Sequence, residues 1–199
     1  MAQPRRTQEE RSSATRAAIT VAARKLFAAE GFAAASIEQI LQEAGVTRGA
    51  FYHHFDSKTA LFVTVFEAVE ADLAGRLATA AAQHTAPWDQ LMAGAESFLT
   101  ACLDPEIRRI VLLDAPAALG MEEVRRIEDA YTMAGLRSVL GACAREGDLD
   151  AAQVPMLTHL ILGALAQAAV AIARAEDPVA AREAAWTAAQ SLLTGLRRR

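Results

Sequence analysis

The sequence predicts an all-α protein, and three features of the chain support that prediction. Of its 199 residues, 53% are hydrophobic and only 6% aromatic, and alanine, the strongest helix former, is abundant. Apolar residues recur at the three- and four-residue spacing of amphipathic helices, without the alternation typical of strands. Glycine, proline and acidic residues stand where these patterns end. A chain of this length and composition can bury a substantial core.

Two helices are predicted first along the chain. Residues 1–12 are polar and basic, and we expect them to form a flexible arm. A helix follows and ends at Gly31. Ser36 is a suitable N-cap for a second, short helix, which ends at Gly45 because glycine readily adopts the left-handed conformation of a helix C-terminus.

The third and fourth helices follow without long loops. Thr47 can cap a third helix that runs to about Phe55, and Ser57 can cap a fourth, from 57 to about 83. Further helices are predicted at 87–103, 104–113, 120–146, 151–175 and 178–197. The chain is therefore expected to have two domains: a short-helix domain, residues 1–56, and a larger helical domain, residues 57–199.

Charge is unevenly distributed between the two ends of the chain. Residues 1–60 hold eight Lys/Arg and six Asp/Glu, and residues 61–199 hold twelve and eighteen. The overall charge of −4 argues against a protein that coats nucleic acid indiscriminately. The weakly basic N-terminal part permits local contact with DNA, in which the arginines of the arm, Arg5, Arg6 and Arg11, could follow the minor groove.

The second and third helices are joined by the residues AGVT, which is typical of a helix-turn-helix. At about 100° per residue, the third helix has two distinct faces. Phe51, His54 and Phe55 share the face expected to point inward. Gly49, Tyr52 and His53 lie on the opposite face, with Arg48 at the boundary in the first turn.

The residues of the outward face suit DNA. Arg48 can donate two parallel hydrogen bonds to guanine O6 and N7 in the major groove. Gly49 lets the backbone approach a base edge closely. Thr47, Tyr52 and His53 can donate to phosphate oxygens, which fix register without reading sequence.

Two helix starts supply further anion sites in this part of the chain. Lys58 directly follows the Ser57 cap, so its ammonium and the free amides of the helix start could hold a phosphate together. Ser36 could act in the same way at the start of the second helix. Both positions lie beside the predicted helix-turn-helix.

The run GFAAASIEQILQEAGVTRGAFYHHFDSKTALF, Gly31 to Phe62, resembles the DNA-binding domain of the TetR family of transcriptional regulators. The family pattern of a Ser/Thr-Ile start, then AGV, a basic residue, glycine, tyrosine, HF and lysine, is met at nearly every position. The resemblance covers about residues 15–65, and the rest of the chain matches in helix count and order. The segment RIVLLDAPAALG, Arg109 to Gly120, also resembles one subgroup of the family's C-terminal domains.

The resemblance implies roles that the spacing does not show. The main base-reading positions would be Arg48, Gly49 and Ala50, and the positions that hold the DNA backbone would be Thr47, Tyr52, His53 and Lys58. Two subunits would pair through their last two helices into a four-helix bundle and bind double-stranded, palindromic operator DNA. The middle helices would enclose a pocket for a small molecule that releases the repressor; a ligand-dependent activator or a corepressor-type regulator is the alternative.

The last two predicted helices are candidates for a homodimer interface. The helix 151–175 is apolar around most of its circumference, so it needs cover on two sides. Gly163, Ala164 and Ala168 would permit close helix approach. The candidate interface residues are Leu160, Gly163, Ala164, Gln167, Ala168, Trp186 and Leu193. A large monomer core is the alternative explanation.

Polar or adaptable residues inside the apolar middle helices are candidates for ligand binding. They are Trp88, Met92, Cys102, Tyr131, Met133, His159 and Gln167. Each is also compatible with plain core or interface packing. No nucleophile–base pair stands out, so we expect no enzymatic activity and no cofactor, although a helical small-molecule-binding protein or enzyme remains an alternative class. Adjacent His53 and His54 diverge on a helix and cannot chelate one metal, so no metal site is expected.

Two observations bear on cellular location. The stretch from Val154 to Ala173 is long enough to cross a bilayer at about 20 residues, but it contains Pro155, His159 and Gln167, so we expect a buried helix instead. The N-terminus lacks the apolar segment of a secretory signal, which predicts a cytoplasmic protein without a membrane partner. The two cysteines are expected to be buried and unpaired.

Overall fold

The structure, a computed structural model, describes residues 8–198. Within that range the chain forms ten α-helices, a π-helical segment and a short 3-10 turn, and no strand. The helices are α1 (Gln8–Glu30), α2 (Ile37–Ala44), α3 (Arg48–His54), α4 (Lys58–Ala81), α5 (Pro87–Ala101), α6 (Ala115–Leu119), α7 (Met121–Ala130), α8 (Thr132–Arg145), α9 (Val154–Arg174) and α10 (Pro178–Leu196). The π segment is Ile107–Asp114, and the 3-10 turn is Ala151–Gln153. The all-α prediction is confirmed.

The first helix begins earlier than expected. Residues 8–12, which we placed in the flexible arm, belong to α1. Glu9 and Glu10 lie in its first turn, where negative charge favours the positive end of the helix dipole. Arg11 is therefore helical, and Arg5 and Arg6 lie outside the described residues.

Two boundaries in the middle of the chain also differ from the prediction. The expected break around Asp114 is absent because the π segment runs directly into α6, with the Ala115 N–H bonded to the carbonyl oxygen of Ile110. That wider turn precedes Pro116, whose missing N–H would interrupt an ordinary helix. The predicted single helix over 120–146 is divided at Tyr131, where φ is −115° and ψ is −78°.

The buried side chains form two hydrophobic clusters. The first includes Phe27 of α1, Phe51 of α3, Phe66 of α4 and Ile110 of the π segment. The second is built by α5, α8, α9 and α10 and surrounds the two unpaired cysteines, Cys102 and Cys143, which are both buried as expected. Burial raises the pKa of Cys102 to about 12 and that of Cys143 to about 11, so both stay protonated thiols.

Helix α9 accounts for the longest apolar stretch. Within Ala151–Arg174, an 18-residue stretch has a mean hydropathy of 1.8, and the helix meets the length and composition of a membrane span. In the fold, its inner face is buried against α5, α8 and α10, while Met156 and Leu160 on the outer face are 62% and 60% exposed. A single chain thus covers one side of α9 and leaves the other side open.

Candidate nucleic-acid interface and ligand cavity

Helices α2 and α3 form the predicted helix-turn-helix. The Ser36 hydroxyl accepts a hydrogen bond from the Gln39 backbone N–H at 3.2 Å, and the Gln39 side chain accepts in turn from the Ser36 N–H at 2.8 Å. This reciprocal pair fixes the start of α2. Gly45 ends the helix in the left-handed conformation, with φ 65° and ψ 35°, and the Val46 N–H bonds back to Leu41 O at 3.1 Å.

Helix α3 is fixed from inside and open to the outside. The Thr47 hydroxyl caps its start by accepting from the Ala50 N–H at 3.2 Å. Phe51 and Phe55 are buried, as predicted, and the Tyr52 ring lies edge-on to that of Phe51 at 5.1 Å. The Thr47 cap and the buried phenylalanines therefore hold α3 in place while its outward side chains remain exposed.

The predicted DNA-facing residues lie together on this surface. Thr47, Arg48, Gly49, Tyr52 and His53 are exposed, and Ala50 is half-buried. The Arg48 guanidinium donates from Nη2 to Glu38 Oε1 on α2 at 2.5 Å, with both side chains more than half exposed. Sequence reasoning missed this partner, although Glu38 stands only ten residues before Arg48. The pair directs the guanidinium while leaving it accessible to solvent.

The adjacent His53 and His54 lie on different sides of α3, His53 exposed and His54 half-buried. Their rings meet edge-on at 5.0 Å, and no hydrogen bond joins His54 to the backbone within the described residues. Desolvation lowers the pKa of His54, and the neighbouring His53 and Arg16 lower it further. No group of three or more potential metal ligands occurs in residues 8–198.

Lys58, the predicted phosphate contact, has protein partners that the sequence did not predict. Its ammonium donates to the carbonyl oxygens of Phe32 at 2.8 Å and Ala35 at 3.0 Å, with Ala33 O at 3.4 Å. It also lies 4.6 Å from the centre of the Phe32 ring. These contacts hold the turn between α1 and α2 in the DNA-free chain.

The π segment and the residues before it are tied to α1. Arg24 of α1 donates two hydrogen bonds to the Glu106 carboxylate, at 2.8 and 2.7 Å, and a third to Asp72 of α4 at 2.6 Å. The Glu106 carboxylate, and after it that of Asp72, raises the pKa of Arg24 above its ordinary value. One partly buried guanidinium therefore joins α1, α4 and the segment that precedes the π helix.

A second contact of the π segment reaches the turn after α1. Asp114 accepts from the Phe32 N–H at 2.6 Å, and Arg109 donates to Glu30 O at 3.0 Å and to Asp114 at 3.2 Å. Gly31 has φ +88°, a conformation that L side chains rarely adopt, so the backbone favours glycine here, and a Cβ would also displace the Arg109 guanidinium. The sequence identified RIVLLDAPAALG only by its resemblance and did not predict these contacts of Asp114 and Arg109, which we call the Asp114 clamp.

A cavity of about 440 Å³ lies between α4, α5, α8 and α9. Its walls are mostly alanine, glycine and leucine, with Phe98 and Tyr131 among the larger residues. Of the seven predicted ligand-binding residues, Tyr131 lines this cavity, and the other six do not. Tyr131 stands at the break between α7 and α8.

The other six predicted ligand-binding residues lie elsewhere. Trp88, Cys102 and Met133 are buried, and Met92 packs against the second hydrophobic cluster. His159 and Gln167 are exposed on α9. Helical spacing alone could not distinguish the cavity side of a middle helix from its core side.

The predicted interface residues lie mostly on one outer surface, which we call the α9–α10 face. Leu160, Gly163, Ala164 and Gln167 are exposed on α9, with Ala168 half-buried. Leu192 of α10 is 51% exposed beside them, and a shallow apolar depression of about 190 Å³ lies between the helices. Two placements differ: Leu193 is buried in its own chain, and half-buried Trp186 packs on the second cluster, because α10 turns that side toward the body.

The helix-turn-helix with an exposed third helix defines a DNA-binding protein. The family described as bacterial regulatory proteins, tetR family, matches residues 19–65, and the tetracyclin repressor-like C-terminal domain matches residues 88–196, more than half of the chain. The chain belongs to the TetR family and is a DNA-binding transcriptional regulator.

Three relatives illustrate the similarity. A TetR-family transcriptional regulator from Pectobacterium atrosepticum is 33% identical, with a TM-score of 0.84 over 98% of this chain and 99% of that one. The transposon Tn10 TetC protein from Escherichia coli is 27% identical over 156 residues, 78% of this chain and 79% of the relative. The transcriptional regulator AcrR from Shigella flexneri is 39% identical over 69 residues, only 35% of this chain and 32% of the relative.

Proposed function

We propose that this protein is a homodimeric repressor that binds a palindromic operator and is released by a small molecule. The observation that carries the proposal is the exposed face of α3, where the Arg48 side chain is 63% exposed while Phe51 and Phe55 are buried on the inner face. We assign DNA binding to residues 1–56 and ligand binding and dimerisation to residues 57–199. The protein would act in the cytoplasm, where its DNA is, and has no proposed catalytic activity or cofactor.

DNA reading is assigned to the start of α3. Arg48 would leave or share Glu38 and donate to guanine O6 and N7, with Gly49 and Ala50 against neighbouring base edges. Thr47, Tyr52 and His53 are exposed and would donate to phosphate oxygens. Ser36, whose hydroxyl serves the α2 cap, would offer phosphate the amides of that helix start.

Dimerisation is assigned to the α9–α10 face. Its exposed residues Met156, Leu160 and Leu192 are large and apolar, which single-chain folding leaves uncovered. Pairing this face with the same face of a second copy would form a four-helix bundle with two-fold symmetry. The two α3 helices would then need a spacing of about 34–36 Å to enter successive major grooves.

Regulation is assigned to α4, because it touches both functional regions. Its first residue, Lys58, holds the turn before α2, and Ala74, Leu77 and Ala78 near its other end line the cavity. A ligand that binds the cavity more tightly when the α3 helices are wrongly spaced would lower operator affinity by linkage. A corepressor-type regulator or activator would use the same route with the opposite sign.

Selection of bound sequences from random DNA, followed by footprinting, tests the proposal. We expect a palindrome with two half-sites about one helical turn apart. Random sequences bound without a common half-site would reject sequence-specific reading. Repeating the footprint with a cavity ligand distinguishes the mechanisms, since a repressor of this type loses the footprint and a corepressor-type regulator gains it.

A further inference from the structure

We propose that the cavity between α4, α5, α8 and α9 takes an elongated apolar molecule with one negative charge at its end, and that Arg145 is the counter-charge. This inference rests on the proposed function only where it concerns the ligand's effect on DNA binding, because binding of the ligand itself can be measured without DNA. Three properties of the cavity lead to this class: its walls, its charges and its length.

The walls accept an apolar body with little steric hindrance. Helix α4 presents alanines to the cavity, and α5 and α8 contribute Gly94 and Gly135. A Cβ added at either glycine would meet no atom within 4 Å, so both glycines open onto empty space. Leu136, Val139 and Leu162 complete a lining that can bury hydrocarbon or ring carbon.

The charges favour an anion and set its direction. Among the described residues that line the cavity, Arg145 is the only charged one, and it forms no ion pair within residues 8–198. At the other end, Thr132 lines the cavity and its hydroxyl donates to Glu70 Oε2 at 3.5 Å, so that end has a carboxyl group beside it and no cation among the described lining residues. An anionic group is therefore drawn to the Arg145 end.

The length favours a molecule that is long rather than round. Helix α8 lines the cavity from Thr132 to Arg145, which at 1.5 Å per residue is a span of about 20 Å. A sphere of 440 Å³ would cover less than half that span. The tail of the ligand would thus point toward Tyr131, whose hydroxyl forms no hydrogen bond within the described residues.

Calorimetric titration with simple probes tests the ligand class on the full-length protein. Octanoate, decanoate and dodecanoate carry the proposed charge, and decanol and decylammonium are the neutral and cationic counterparts of decanoate. We expect at least one carboxylate to bind saturably and more tightly than the alcohol, with the ammonium weakest. Arg145→Gln should weaken the carboxylate by about ten- to a hundredfold and leave the alcohol unchanged.

Two variants keep this test independent of folding. Arg137→Gln removes an exposed cation from the same helix without touching the cavity lining, and should bind the carboxylate like the wild type. Gly94→Leu should fill the cavity and abolish binding of both the carboxylate and the alcohol, while the thermal unfolding temperature stays at or above that of the wild type.

The proposal is overturned if none of the three carboxylates binds, if decanol or decylammonium binds as tightly as decanoate, or if Arg145→Gln binds the carboxylate as well as the wild type does. It is also overturned if Gly94→Leu folds and still binds. A carboxylate that binds as expected but leaves the operator footprint intact supports the ligand class and counts against ligand-released repression, so the two failures are distinct.

Discussion

The Phe32 N–H donates to Asp114 Oδ2 at 2.6 Å, which ties the turn before α2 to the last residue of the π segment. The two residues are 82 positions apart in the sequence, and both are partly buried. The same carboxylate oxygen holds Arg109, which reaches the end of α1. The position of the helix-turn-helix therefore depends on a carboxylate supplied by the body.

Asp114→Ala should loosen this junction. It leaves the Phe32 N–H without its acceptor and the Arg109 guanidinium without its ion pair, so we expect a loss of about 1–3 kcal/mol of unfolding free energy. Urea unfolding at fixed protein concentration measures it, and operator affinity should fall in parallel. Asp129→Ala, which removes an exposed carboxylate from α7, is the matched control. Equal stability of Asp114→Ala and the control would contradict the role of the clamp.

Arg48→Ala should reduce discrimination between operator and random DNA by about 1–3 kcal/mol, because the bidentate guanine contact is lost. Weak, salt-dependent binding to any sequence should remain. Glu38→Gln should strengthen binding to all DNA sequences, because it removes an exposed negative charge beside Arg48. Competition binding with operator and random duplexes measures both, and unchanged discrimination in Arg48→Ala would reject the base-reading assignment.

Lys58→Met should lower the stability of the helix-turn-helix and weaken binding to all sequences alike. The physical reason is the loss of donors to Phe32 O and Ala35 O, which leaves partly buried carbonyls unpaired. The salt dependence of DNA affinity separates this role from a phosphate contact. The slope should stay unchanged, whereas a direct phosphate contact would flatten it by about one unit.

Ala164→Asp should convert the proposed dimer into a monomer. Ala164 is exposed and borders the depression between α9 and α10, so a partner's matching face would bury the new carboxylate without a counter-charge. Light scattering measures the mass in solution. Ala134→Asp, at an exposed position of α8 away from the α9–α10 face, should leave the mass unchanged. A persisting dimer in Ala164→Asp would place the interface elsewhere.

Glu70 should make the folded state less stable as pH rises. Burial raises its pKa from 4.5 to about 7, and nearby Glu128 adds to the effect, so the folded chain holds a proton that the unfolded chain has released. Stability is lost between about pH 4.5 and 7 and stays low above that range. Glu70→Gln should match the wild type near pH 4 and exceed it at pH 8 by up to about 3 kcal/mol.

Urea unfolding at both pH values measures this difference. Glu122→Gln, at an exposed position of α7, should show no such gain. A Glu70→Gln variant whose advantage is the same at pH 4 and pH 8 would show that the pKa of Glu70 does not differ between the folded and the unfolded protein.

Local chemistry explains what the sequence predicted well. The caps at Ser36, Thr47 and Ser57 each bond a backbone N–H three residues away, and Gly45 needs only its own backbone freedom. Helix caps of this kind can be predicted because they depend on only a few consecutive residues. The buried side of α3 followed from helical spacing for the same reason.

Contacts between distant segments explain what could not be predicted. The partners of Lys58 are more than twenty residues away, on a turn whose carbonyls are not visible as a sequence motif. The break at Tyr131 has no adjacent glycine or proline to mark it. The cavity depends on how α4, α5, α8 and α9 are arranged, so its lining could not be chosen from residue type alone.

The 24 residues of α4 give it a length of about 36 Å, so a small tilt at one end displaces the other end by several ångströms. A tilt of about 5° around its C-terminal end would move the Lys58 end by about 3 Å. In the proposed dimer the displacements of both subunits add, so the α3 spacing would change by about 6 Å against a helical repeat of about 34 Å. A small tilt of α4 at the cavity would therefore be enough to stop the two α3 helices from entering successive major grooves together.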